Sequence, residues 1–256
     1  MTEIRQVVAS NPGPFTLEGT NTWVIGRDPS LVIDPGPDEP EHLRRVAAEA
    51  QPVAEILLTH HHPDHAPGAR SLAELTGARI RAFGPWDGEE AIADGEEVHS
   101  GQAEVRAVHT PGHSSDHMVF FEPNDRALFT GDAVLGRGTS VVDPPDGDLA
   151  AYLRSLRAML RLAPAALYPG HGPVVDRAEE KLRDYLAHRE ERERQVLAGL
   201  SEGPRTPQEL VPVIYAEYPA ELYQAAARSV FAHLLKLAAE GTIVRTGPEE
   251  DRFGLA

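Results

Sequence analysis

Thr59-His60-His61-His62-Pro63-Asp64-His65 is the stretch on which the reading of this chain turns. It places His60, His62, Asp64 and His65 within six residues. Imidazole nitrogen and carboxylate oxygen are common protein ligands for zinc and related divalent ions. Holding such groups together away from water is unfavourable unless something binds them. The apolar run Ile56-Leu57-Leu58 comes just before, so the cluster belongs to the loop leaving a buried strand. Residues i and i+2 of a strand point to the same side. His60 and His62 therefore converge on one ion if the strand runs to them, and His61 between them points elsewhere. Pro63 bends the chain, which lets Asp64 and His65 reach a second ion.

Three further candidates follow in glycine-flanked turns: His113 after Gly112, Asp132 after Gly131 and His171 after Gly170. Glycine at such positions permits left-handed backbone and close approach to an ion. Loops from separate strands meeting at one sheet end are a standard way to build a site on a rigid scaffold. Together these residues make seven ligands, too many for one tetrahedral ion and suited to two. His42, His99, His109, His188 and His233 read as ordinary core or surface residues, and His117 as a residue able to stand behind a ligand.

The chain has 256 residues, enough for one large domain or one domain and a small module. Cysteine is absent, so neither a disulfide framework nor a thiolate metal site is available. No apolar run approaches the roughly 18 residues that a membrane span requires. Met1-Thr2-Glu3-Ile4-Arg5 lacks a basic stretch followed by an apolar one, so no signal peptide is expected, and the default is a soluble cytoplasmic protein. The net charge of −16 repels nucleic acid at long range. A pair of bound divalent ions would invert that field inside a cleft.

Apolar runs rich in Val, Ile, Phe and Trp predict strands over residues 4–9, 22–25, 31–33, 56–58, 79–83, 105–108, 117–121, 127–129 and 165–168. Helical periodicity predicts helices over 41–50, 69–75, 149–162 and 177–200, with Asp148 as an N-cap. Strands that first meander and then alternate with helices suggest two sheets with helices outside. Ser201-Glu202-Gly203-Pro204-Arg205-Thr206-Pro207 reads as a linker. Beyond it come helices over 207–215, from Pro219 onward and over 226–240, a strand at 241–245, a turn at Gly247-Pro248 and a returning strand at 252–255. That order fits a winged helix or a plain helical cap.

The spacing of His60, His62, Asp64 and His65, with His113, Asp132 and His171, resembles the signature of the metallo-β-lactamase superfamily. The resemblance implies an αββα sandwich over residues 1–200, with the site at one edge of its two sheets. It implies that His60, His62 and His113 hold one ion, that Asp64, His65 and His171 hold the other, and that Asp132 bridges. The presence of His65 and the lack of Cys set the chain apart from the antibiotic-cleaving members and match the ligand set of glyoxalase II and of the nucleases of this fold. A narrower resemblance runs through residues 11–22, 110–118, 131–139 and 168–173 to the β-lactamase-like protein 2 group. It implies endoribonuclease activity on single-stranded RNA and a small winged-helix-like α+β domain over 201–256.

The expected cofactor is a pair of Zn2+ ions, with iron or manganese suited to the same ligands. They would lower the pKa of a shared water toward 7, and the resulting hydroxide would attack the substrate. Asp64 would accept the proton from that water. Thr20, Asn21 and Thr139 lie on Gly-rich loops resembling those that line the cleft in this group. The alternative is a thioester hydrolase of glyoxalase II (hydroxyacylglutathione hydrolase) type. The tail opposes an RNA-gripping role: Arg205, Arg228, Lys236, Arg245 and Arg252 stand against eight Asp and Glu. A packing or homodimerisation role suits it better.

Overall fold

The computed structural model describes every residue except Asp87, Tyr218, Ala220, Glu221 and residues 247–250. The described chain forms two compact units. The first comprises residues 1–110, 116–140 and 157–182, and the second residues 111–115, 141–156 and 183–256.

The first unit contains two sheets. One has β1 (Ile4–Val8), β2 (Asn21–Ile25), β3 (Ser30–Ile33), β4 (Val53–Leu57), β5 (Arg79–Ala82) and β6 (Glu90–Ala91), neighbours in that order. The other has β7 (Glu97–Ser100), β8 (Ala103–His109), β9 (Met118–Glu122), β10 (Ala127–Gly131) and β11 (Ala166–Pro169), in the order β11-β10-β9-β8-β7. Helix α1 (Pro40–Ala50) carries the chain from β3 to its parallel neighbour β4, and α2 (Gly68–Thr76) from β4 to parallel β5. Parallel neighbours need such a crossover.

Period-two alternation divides the buried residues of the first sheet between two cores. Trp23, Ile25, Leu31, Ile33 and Leu57 pack with Val105, Ala107, Phe120 and Phe129 of the second sheet. Val24, Val32 and Ile56, on the opposite face, pack with Leu43 and Val46 of α1 and Leu72 of α2. Both faces are therefore covered, which is why β2, β3 and β4 read as near-continuous apolar runs.

Strands β6 and β7 were not expected from the sequence. Each lies at the edge of its sheet, both residues of β6 are exposed, and β7 exposes Glu97 and His99. Polar edge strands discourage unwanted pairing and weaken the apolar signal that marks a strand. Strand β4 ends at Leu57, so His60 and His62 do not lie on a strand. An irregular loop brings them together instead.

Helix α3 (Leu149–Arg161) starts where expected, within the second unit, and Asp148 Oδ1 accepts a hydrogen bond of 2.7 Å from Ala151 N. Helix α4 (Ala178–Gly199) contributes Val196 to a core with Leu200 and with Leu210 and Val211 of α5 (Pro207–Ile214). The same core holds Val230, Leu234 and Leu237 of α6 (Tyr223–Ala239), Ile243 of β12 (Ile243–Arg245) and Phe253 of β13 (Phe253–Leu255). Thr206 and Glu209 form a capping box at the start of α5. Strands β12 and β13 pair antiparallel. Helix α6 covers the helix predicted over 226–240, while Ala220 and Glu221 of the helix predicted from Pro219 onward and the predicted turn at Gly247-Pro248 lie outside the described residues. No described helix is long and apolar enough to cross a membrane.

Candidate metal centre

Ile33 at the end of β3 pairs with Leu57 at the end of β4, and Gly131 at the end of β10 with Pro169 at the end of β11. Both pairs are parallel, and the chain continues past them into Asp34, Thr59–His65, Asp132 and His171. Ligand sites of open α/β sheets form outside the carboxyl ends of strands for this reason.

Asp64, His65, Asp132 and His171 each present an atom to a common centre, all within 4.8 Å of one another. His171 Nε2 lies 3.1 Å from Asp64 Oδ2 and 3.3 Å from Asp132 Oδ1. His65 Nε2 lies 3.4 Å from Asp132 Oδ1 and 3.2 Å from His171 Nε2. His60, His62 and Asp132 form a second grouping within the same 4.8 Å limit. Asp132 belongs to both, as a bridging ligand must. His113 falls in the second unit, where its Nδ1 is 2.8 Å from the Val141 carbonyl oxygen. Gly112 before it has φ +135°, and a Cβ there would stand 2.3 Å from Tyr152 Cα.

The hydrogen bonds behind the cluster decide how its rings face. Asp34 is buried and was not singled out from the sequence. Its Oδ1 accepts from Thr59 N at 2.8 Å, and its Oδ2 accepts from Thr59 Oγ1 at 2.7 Å. His65 Nδ1 lies 2.9 Å from the same Oδ2, and His60 Nδ1 lies 2.9 Å from Thr59 Oγ1. An ionised carboxylate only accepts, and a hydroxyl has one proton to give. Thr59 gives that proton to Asp34, so it accepts from His60, and His65 donates to Asp34 directly. In their neutral form both rings then carry the proton on Nδ1 and present a lone pair on Nε2. That is the tautomer a divalent ion needs, fixed as outer partners of metal-bound histidines fix it. The donor set and its tautomers thus fit a divalent cation.

Glycine backbone lets the loops close around this centre. A Cβ on Gly170 would lie 2.6 Å from His65 Cε1 and 2.8 Å from Asp132 Oδ1, and one on Gly131 only 2.5 Å from Thr59 Oγ1. His117 is buried beside His60, with ring centroids 5.0 Å apart and Nδ1 3.1 Å from Thr110 Oγ1. Thr20 and Asn21, expected to line the cleft, are buried and hold loops instead. Asn21 Nδ2 donates to the carbonyls of Pro169 at 2.9 Å and Gly172 at 2.8 Å, straddling His171. Thr20 Oγ1 accepts from Asn11 Nδ2 at 2.9 Å. Thr139 is exposed.

His61 does point away from both groupings, between Asp116 Oδ2 at 2.5 Å and Glu89 Oε2 at 2.8 Å. Burial opposes its charge, but the two carboxylates outweigh burial and raise its pKa. The same contest, won by carboxylates, holds His65 well above the ordinary imidazole range and raises His171 to about 9. Burial works against an ionised Asp132, yet His65 and His171 hold its carboxyl well below the ordinary range. In the metal-free protein His65 and His171 are therefore protonated and paired with Asp132.

The profile of the metallo-beta-lactamase superfamily matches residues 15–91 and 83–171. The chain belongs to the metallo-β-lactamase superfamily. The profile of the beta-lactamase associated winged helix domain matches residues 206–251, so the tail is the winged helix of this group. A beta-lactamase-like protein 2 homolog of Drosophila melanogaster is 33% identical over 97% of this chain and 92% of its own length. The atrochrysone carboxyl ACP thioesterase of Aspergillus fumigatus is 37% identical over 85% of this chain and 75% of its own length. A metallo-beta-lactamase family protein from Thermus thermophilus has the same fold, with TM-score 0.84 and 23% identity over 99% of this chain and 98% of that one. A structure in a di-iron-bound form (TTHA1623) gives TM-score 0.56 and 27% identity over 69% of this chain and 96% of that one. The protein is a metal-dependent hydrolase with the αββα fold of this superfamily and the His and Asp cluster of a metal site.

Two outcomes follow from this geometry. Asp34→Ala lowers the affinity for zinc about 10- to 100-fold, the usual effect of removing an outer partner, in a competition titration against a chelator. Unchanged affinity in a folded variant would contradict the tautomer argument. Next, the folded pKa of His171, about 9, lies above its ordinary 6.5. Its proton stabilises the metal-free fold below pH 6.5, and that contribution disappears as pH rises through about 9. An ion must displace this proton, so apparent zinc affinity rises with pH across that window. Calorimetric titration near neutral pH in two buffers of different ionisation enthalpy would show proton release; equal heats in both would exclude it.

Proposed function

We propose that this protein hydrolyses an activated acyl ester, with a thioester as the substrate class, at a two-ion centre loaded with zinc. The observation that carries the substrate class is the match to the thioesterase over 85% of the chain, more than residues 1–200 can supply. That match reaches into the tail, so thioester hydrolysis is compatible with a winged helix in place of a glyoxalase II type tail. The charge supports the same reading. With a net charge of −16, the chain repels a polyanion. In the second unit Arg205, Arg228, Lys236, Arg245 and Arg252 each have a carboxylate partner: Glu202, Asp143, Glu193 with Glu240, Asp251 and Glu209. Each of these cations must give up a carboxylate partner to neutralise a phosphate, which weakens the drive for binding a phosphate backbone.

In this proposal His60, His62, His113 and Asp132 hold one ion, and Asp64, His65, His171 and Asp132 hold the other. Iron or manganese suits the same atoms. When bound, the pair would supply hydroxide at neutral pH and an electrophile for the carbonyl oxygen. Burial opposes ionisation of Asp64, but His171 and His65 hold its carboxyl below the ordinary range, so it is ionised at neutral pH. It is placed to accept the proton that the attacking water loses. Thr139 is the exposed side chain assigned to substrate contact. Asn21 and Thr20 keep the His171 loop in place.

A second reading, an endoribonuclease on single-stranded RNA, is favoured by the match to the Drosophila β-lactamase-like protein 2 homolog along 92% of that protein's length. A paired assay separates the two. Zinc-loaded protein is given an acyl thioester and a fluorophore-quencher single-stranded RNA, each with an Asp132→Ala control. Thioester turnover that falls at least about a hundredfold in the variant supports the first reading, because a bridging ligand serves both ions. RNA cleavage lost in the variant, with the thioester untouched, would replace it with the second.

A further inference from the structure

The segment joining β5 to β6 makes two aromatic stacks, one on strand β8 and one on the ligand-bearing loop. Phe83 stacks on His109, with centroids 3.9 Å apart and planes at 19°. Trp86 stacks on His61, with centroids 4.2 Å apart and planes at 14°. His61 lies directly between His60 and His62 in the chain, so this stack attaches Trp86 to the metal loop itself.

The stack is also fixed laterally. His61 Nδ1 pairs with Asp116 and Nε2 with Glu89 Oε2, and Trp86 N donates to that same Glu89 Oε2 at 2.8 Å. One carboxylate therefore orients both the ring beneath the indole and the backbone that carries the indole. Yet Trp86 is 64% exposed. One indole face is covered by His61, and the residue contributes little buried area to the core. Single exposed apolar residues are ordinary on protein surfaces. An indole immobilised through its ring and its own amide, on the residue between two ligands, is not an ordinary case. The rim is also acidic, with Glu89 and Asp116 beneath the stack.

We propose that the free face of Trp86 is a stacking platform for a planar aromatic ring on the acyl part of the substrate. Trp86 is thereby a specificity-determining residue. This rests on the thioester reading and deepens it by naming the acyl class. A planar ring stacks on indole with preferred geometry, whereas a saturated ring of similar size offers only area. The acidic rim favours a neutral ring over a phosphate-bearing one.

The test compares benzoyl with cyclohexanecarbonyl thioesters on the zinc-loaded protein, and separately measures benzoate and cyclohexanecarboxylate binding by tryptophan fluorescence. Wild type should prefer the planar acyl group in kcat/KM. Trp86→Ala should lose about two- to tenfold of that preference, the usual worth of an aromatic pair, and Trp86→Phe should retain most of it. Zinc content should be unchanged in both variants. Benzoate should quench a fluorescence component that Trp86→Phe lacks. A preference for the planar ring that survives in Trp86→Ala would overturn the platform. The binding arm does not depend on turnover. Quenching with no thioester hydrolysis would keep the platform and reject the thioester reading, and an oligoadenylate bound more tightly than an abasic oligomer of equal length would identify the ring as a nucleobase.

Discussion

The arrangement of this molecule depends on one buried carboxylate, Asp34. It directly follows β3, takes two hydrogen bonds from Thr59 and receives the Nδ1 proton of His65. Through the Thr59 hydroxyl it also decides which nitrogen of His60 carries a proton. One residue therefore sets the tautomer of a histidine in each of the two groupings, and it does so across the pairing of β3 with β4. The sheet register and the chemistry of the site are the same constraint seen at two scales. If the register slipped by one residue, Asp34 would face the wrong side and both lone pairs would turn away from the centre.

Much of the site was legible because its residues have few alternative uses. The dense run from His60 to His65 matches the donor types and number that a divalent ion takes, and a glycine before His113, Asp132 or His171 marks a tight approach. The strand pattern was equally readable, because β2, β3, β4, β9 and β10 are buried on both faces. Asp34 was not legible. An Asp before Pro35-Gly36 after an apolar strand reads first as a turn former, and its role exists only through the parallel β4. Thr20 and Asn21 misled for the opposite reason: polar residues beside glycine suggest a cleft wall, whereas Asn21 binds two carbonyls around His171. Strands β6 and β7 escaped notice because edge strands can be short and charged.

The His cluster and the acidic surface divide the work of recognition. In the metal-free protein, charge within the cluster balances internally, with His65 and His171 protonated against Asp64 and Asp132. Bound divalent ions would replace those protons and make the cleft a positive locus on a chain of net charge −16. That contrast suits a substrate whose reacting carbonyl is neutral and whose recognition is by shape and stacking. It suits a polyphosphate poorly, since the cations of the winged helix are already paired.

The most direct test of the two-ion account is a crystal structure of the zinc-loaded protein, with anomalous differences recorded on both sides of the zinc edge. The account predicts two peaks. One is ringed by Asp64, His65, Asp132 and His171, and the other is in contact with His60 and His62, with Asp132 touching both. A single peak, or peaks that leave Asp132 uncoordinated, would contradict it.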